Sequence, residues 1–164
     1  MFPSLRVAYL VVPEHLTRVF TAMRGLFGEH ASVAPQVALA AFIDEGHMST
    51  HLRHLRQVCG QRRSALHQAV AQHLPVWAAL SPTGEGMHAG LYFPPRVSDV
   101  AVFKLVRARG VGAVPISSIC LNKGLANGLV LGYGGATLET IDASMQVIGG
   151  ALRQIDQLGS GENK

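Results

Sequence analysis

Three histidines, His47, His51 and His54, stand at i, i+4 and i+7, so a helix through them carries all three imidazoles on one side. Imidazoles spaced this way could bind zinc. With no nearby carboxylate or thiolate to complete a shell, they are expected to mark the polar start of a helix beside a cleft or a subunit contact, with no metal. The run His51-Leu-Arg-His-Leu-Arg56, followed by Gln61-Arg-Arg63, is basic and could touch phosphates. Aromatics are scarce around it and no recognition-helix pattern follows, which favours the solvated face of one amphipathic helix. His88 is expected to be packed or capped and not a catalyst. Gly132-Tyr-Gly-Gly135 matches neither G-x-G-x-x-G nor G-x-x-x-x-G-K-[ST]. A phosphate cradle needs backbone amides at a helix N-terminus, and the default here is a tight strand-to-helix turn. Lys104 and Lys123 are the only internal lysines, and neither sits in an apolar context that would make it a nucleophilic amine. No Ser/His/Asp order and no carboxylate pair can be placed, so no catalytic residue is assigned.

These residues must be held by elements that the hydrophobic periods predict. Residues 7–12, Val-Ala-Tyr-Leu-Val-Val, read as a buried strand closed by Pro13. Leu16, Val19, Phe20, Met23, Leu26 and Phe27 recur at helical steps, and a second helix is expected over 33–45, stopped by Gly46. The longest helix is expected over 49–73, with Leu52, Leu55, Cys59, Leu66 and Val70 as its dry seam and Arg53, Arg56, Arg63 and His67 on its wet face. From Pro75 the period changes. Residues 76–80 and 87–93 predict a hairpin across the turn 81–86, with Met87, Ala89, Leu91 and Phe93 on one face. A helix follows over 97–109, with Asp99 in its first turn, Arg107 and Arg109 in its last, and Gly110 as its stop. Strands are expected over 111–116 and 129–133. Thr137 caps a last helix to about Ile155, and 159–164 is expected to be a flexible tail. The second half is therefore an α+β layer, with helices on one face of a small sheet.

Composition sets the bounds. The chain has 164 residues, 48% hydrophobic and 15% charged, with a formal net charge of +4. It is too apolar for disorder, and at this length a chain buries roughly 70% of its unfolded surface in one core. Cys59 and Cys120 stand without C-x-x-C spacing, which fits neither a disulfide framework nor a zinc finger and suits a reducing compartment. The longest early apolar run is six residues, too short for an export signal or a membrane span. A cytoplasmic protein away from membranes is expected.

The stretch Pro3-Ser-Leu-Arg6-Val-Ala-Tyr9-Leu-Val-Val-Pro13 resembles the segment that follows the cofactor lysine in fold-type I pyridoxal-phosphate enzymes. It is most similar to the aminotransferase-like domain of MocR/GntR-type transcriptional regulators. The likeness continues, in order, through Gln36-Val-Ala-Leu-Ala-Ala-Phe-Ile-Asp-Glu-Gly-His47, His51-Leu-Arg-His-Leu-Arg56 and Gln61-Arg-Arg63. It runs on through Gly86-Met-His-Ala-Gly90, Ala108-Arg-Gly-Val111, Pro115-Ile-Ser117 and Gly128-Leu-Val-Leu-Gly-Tyr133. Any one piece is weak; the ordered set is more specific and covers nearly the whole chain.

The resemblance implies the end of a large cofactor-binding domain over 1–46 and a C-terminal small domain over 47–158. It implies pyridoxal 5'-phosphate as the family's cofactor, with Arg6 as the cofactor-binding residue. A guanidinium gives forked, charge-assisted hydrogen bonds to phosphate oxygens. Aligned on Arg6, the family's imine-forming lysine falls two residues before Met1, so this chain is expected to be non-catalytic and not to bind the cofactor by itself. It reads as a truncated product, an expressed C-terminal piece or a mis-started frame. Val130 falls where many aminotransferases carry an arginine that grips a substrate carboxylate. The implied parent is a homodimeric regulator that senses pyridoxal phosphate or an amine or amino-acid adduct of it, and meets DNA only through a winged-helix domain. A plain aminotransferase parent and a stand-alone dimerising module are the alternatives.

Overall fold

The computed structural model describes residues 7–27, 32–82, 86–121 and 126–161. The chain divides into two compact units, Met1–His54 and Leu55–Lys164, and each is described by itself.

In the first unit a short 3-10 turn, Glu14–Leu16, leads into α1, Thr17–Leu26; α2 is Val33–Asp44 and α3, His47–His73, begins here. Gly46, in the left-handed region at φ 79°, separates α2 from α3. Neither α1 nor α2 buries a residue. The strand expected over 7–12 does not form; residues 7–13 carry no regular structure. A strand exists only when its N–H and C=O groups meet a partner strand, and no described residue of this unit supplies one. Tyr9 and Leu26 are each 85% exposed.

The second unit holds the core. Its four-stranded sheet has the order β1-β2-β4-β3, every pair antiparallel, with β1 Ala79–Leu80, β2 His88–Tyr92, β3 Val114–Pro115 and β4 Gly128–Gly132. The helices are the end of α3, then α4 (Asp99–Ala108), the single turn α5 (Ile116–Ile119) and α6 (Leu138–Gly161). Register puts Ala89 opposite Leu131 and Leu91 opposite Leu129. These four side chains form the covered sheet face. They pack with Leu66 and Ala69 of α3, Val102 and Val106 of α4, and Ile141, Met145, Ile148 and Leu152 of α6. The predicted alternation holds for Ala89, Leu91 and Phe93, while Met87 is half-exposed.

Two strands are shorter than their apolar runs. Residues 76–78 form a turn, with the Ala78 amide donating to Pro75 O at 2.9 Å. The strand expected over 111–116 keeps only Val114 and Pro115, because Pro115 has no N–H to extend the ladder and α5 starts at once. Asp99 explains that start. It is 3% exposed and accepts from Ser117 Oγ at 2.7 Å, Ser117 N at 2.9 Å and Gly128 N at 3.4 Å. Asn127 completes the knot. Its amide nitrogen donates toward the carbonyls of Phe93, Pro94 and Val97, and its oxygen accepts from Asp99 N. Ser98 caps α4 by accepting from Ala101 N. The last helix runs to Gly161, well past the expected end near Ile155.

Candidate functional site

The sheet has a second face that the helices leave uncovered. Side chains alternate across a strand, so His88, Gly90 and Tyr92 of β2 project to this face, as do Val130 of β4 and Val114 of β3. Val130 lies between Gly90 and Val114 in register. The Tyr92 ring folds back over Gly90, where an added Cβ would meet ring carbon Cε2 at 2.9 Å. The His88 ring stands 3.5 Å from the Cβ position of Gly132. The strands thus present an aromatic ring, a valine pair and an imidazole, with no cation among them. Valine at 130 offers an incoming carboxylate no partner.

At one end of the sheet the hairpin and the Gly132-Tyr-Gly-Gly135 stretch are tied together. Tyr133 Oη donates to Gly86 O at 2.8 Å, the amides of Tyr133 and Gly134 both donate to Met87 O, and Arg62 of α3 donates to Gly134 O. Arg63 donates to Pro82 O at 3.4 Å. The expected solvated basic face is therefore partly used: Arg62 is half-buried and holds a carbonyl. Nothing in the sequence period distinguished it from its neighbours on the helix. Thr137 opens α6 by accepting from Thr140 N. Glu139 has its carboxyl held below the usual carboxylate value, first by a backbone N–H and then by the Thr137 hydroxyl.

The remaining sequence candidates are scattered. His47 does have a carboxylate beside it, Glu45 at 3.2 Å, and the Phe42 ring packs against both His47 and His51. Among the described residues no three His, Cys, Asp or Glu side chains gather as a metal set. No described helix is long and apolar enough to cross a membrane. Lys104 is exposed on α4, while Lys123 and Arg6 lie outside the described residues. Two clefts are lined by described residues: one of about 510 Å³ in the first unit, with Tyr9, Phe20 and the Arg24 guanidinium in its walls, and one of about 240 Å³ in the second, with no charged side chain, and no lysine amine lines either.

The fold is that of the fold-type I, pyridoxal-phosphate-dependent aminotransferases. It matches the α-aminoadipate aminotransferase LysN of Thermus thermophilus with a TM-score of 0.82 at 26% identity, over 95% of this chain and 40% of that one. It matches the multiple substrate aminotransferase of Thermococcus profundus with a TM-score of 0.81 at 16% identity, over 88% of this chain and 36% of that one.

The sequence relatives are regulators of the MocR/PdxR type, and the chain is an aminotransferase-like portion homologous to them. The probable rhizopine catabolism regulatory protein MocR of Rhizobium meliloti is 28% identical over 160 residues, which is 98% of this chain and 32% of that protein. The pyridoxine biosynthesis transcriptional regulator PdxR of Corynebacterium glutamicum is 29% identical over 139 residues, 85% of this chain and 30% of that protein. The chain spans about a third of the length of these curated relatives. No protein-family model matches it.

Proposed function

We propose that this chain is the C-terminal part of a regulator whose aminotransferase-like module senses pyridoxal phosphate or an amine adduct of it. In the parent, Arg6 pairs with the cofactor phosphate, 1–46 closes the large domain and 47–158 belongs to the small domain. DNA is met through a winged-helix domain carried elsewhere in the parent, in the cytoplasm. The observation that carries this reading is the match to MocR along 98% of the chain, on an aminotransferase fold whose uncovered sheet face presents Val130. A sensor needs to hold the cofactor and respond to it. It does not need a fixed cation for a turning-over substrate carboxylate.

Imine chemistry requires a lysine amine. The 164-residue chain mixed with pyridoxal phosphate is therefore expected to give no stable visible band of an internal imine. A stable band that disappears on replacing Lys104 or Lys123 overturns the assignment. A second reading, association through the first unit, has its own support: Tyr9, Leu26, Phe27 and Val33 are each more than 70% exposed, and apolar surface of this kind self-associates or takes a partner. Size-exclusion chromatography coupled to light scattering tests it. A homodimer or larger species is expected, and a clean monomer rules the reading out.

A further inference from the structure

A cleft of about 240 Å³ opens in the second unit between α3, the turn 110–112, the end of β4 and the first turns of α6. Its walls are mainly apolar, with Leu66, Val111, Leu131, Met145 and Ile148 among them, and no side chain that lines it is charged. Two polar groups in the lining are uncommitted. The Ser144 hydroxyl and the Gly112 N–H have no hydrogen-bond partner among the described residues. Thr140, also in the lining, already bonds to Thr137. An added Cβ at Gly112 would meet nothing within 4 Å. The cleft is thus a half-open apolar groove, with the exposed Gly112 offering a solvent-accessible donor and the half-buried Ser144 a hydroxyl, the composition of a small-molecule site.

We propose that this cleft binds a compact neutral molecule, an apolar ring or branched body with one hydroxyl, and that Ser144 is its polar anchor. The size follows from the volume: an engineered apolar void of about 150 Å³ holds benzene, so this one takes a phenol-sized body. Neutrality follows from the lining. A carboxylate or ammonium seated against these apolar walls would shed part of its water and gain no counter-charge. The site is separate from the cofactor reading above and stands or falls without it.

Phenol, toluene and benzoate are the probes, titrated into the full 164-residue chain with amide shifts followed by ¹H–¹⁵N correlation spectra. Phenol is expected to give saturable shifts at Gly110, Gly112 and Gly132 with a Kd on the order of 1 mM, toluene to bind more weakly, and benzoate not to bind. Ser144→Ala removes the hydroxyl and should erase the preference of phenol over toluene, a change of about 2–10-fold for one neutral hydrogen bond. Ser144→Leu fills the groove and should abolish both. The Ala variant keeps the test open if the Leu variant does not fold. The proposal is overturned if the three glycine amides do not move, if benzoate binds as well as phenol, if the phenol preference survives in Ser144→Ala, or if shifts appear only in residues 8–27.

Discussion

Gly149 and Gly150 are neighbours on α6, yet alanine at the two positions should act in opposite directions. In a helix interior either change gains about 1 kcal/mol of intrinsic propensity. At Gly149 an added Cβ would run into the carbonyl oxygen of His73, far inside van der Waals distance, with the carbonyl carbon at 3.1 Å. That carbonyl is backbone at the last turn of α3 and cannot swing aside like a side chain. It also accepts from Arg153 at 2.9 Å, and the His73 ring meets Asp142 of α6 at 2.7 Å. Pushing α3 away therefore strains the packing by about 1–3 kcal/mol and weakens two bonds worth about 1 kcal/mol each. Set against the propensity gain, Gly149→Ala should destabilise by about 2–4 kcal/mol. At Gly150 the nearest neighbour of an added Cβ is the guanidinium of Arg109 at 3.8 Å, an ordinary contact. Gly150→Ala should stabilise by up to about 1 kcal/mol. Urea unfolding followed by circular dichroism measures both, each kcal/mol being worth roughly 4 °C if melting is used instead. The reasoning fails if Gly149→Ala is as stable as the parent chain, or if the two variants shift stability in the same direction.

Three further outcomes follow from the same unit. Asp99→Ala should cost about 3 kcal/mol, because it orphans the half-buried donors of Ser117 and the buried Gly128 N–H; denaturant midpoints that coincide with those of the unsubstituted chain would show the knot to be incidental. A double-mutant cycle over His73→Ala and Asp142→Ala should return a coupling of about 0.5–1 kcal/mol, modest because the Asp142 side chain is 46% exposed, and additive single effects would deny the pairing. Glu139 has a lowered carboxyl value in the fold, so its contribution is fully present above the ordinary 4.5 and is lost as pH falls below it. The stability difference between the unsubstituted chain and Glu139→Gln should accordingly be largest in melts at about pH 6 and shrink as the pH is lowered below 4.5.

The candidate site was partly legible. The alternation through Ala89, Leu91 and Phe93 identified the core face of the hairpin strand, and the opposite face follows by subtraction. Arg62 was submerged in a basic helix face, because whether an arginine is solvated or grips a carbonyl depends on which loop folds over it. Asp99 in the first turn of α4 suits the helix dipole, yet its main partners lie 18 and 29 residues further along.

What the sequence determined by itself was the order and period of the helices, the hairpin, the stops at Gly46 and Gly110, and an ordered set of motifs shared with regulators of one kind. Those signals repeat every few residues and survive without knowledge of what packs where. Tertiary structure alone decided that residues 7–12 form no strand and that the strand expected over 111–116 shrinks to two residues. It also decided that Val130 lies on an uncovered face beside Gly90 and that Gly149 rather than Gly150 meets a backbone. A strand exists only against its partner, and a close approach only between segments distant in the chain, so neither is written in any local stretch of residues.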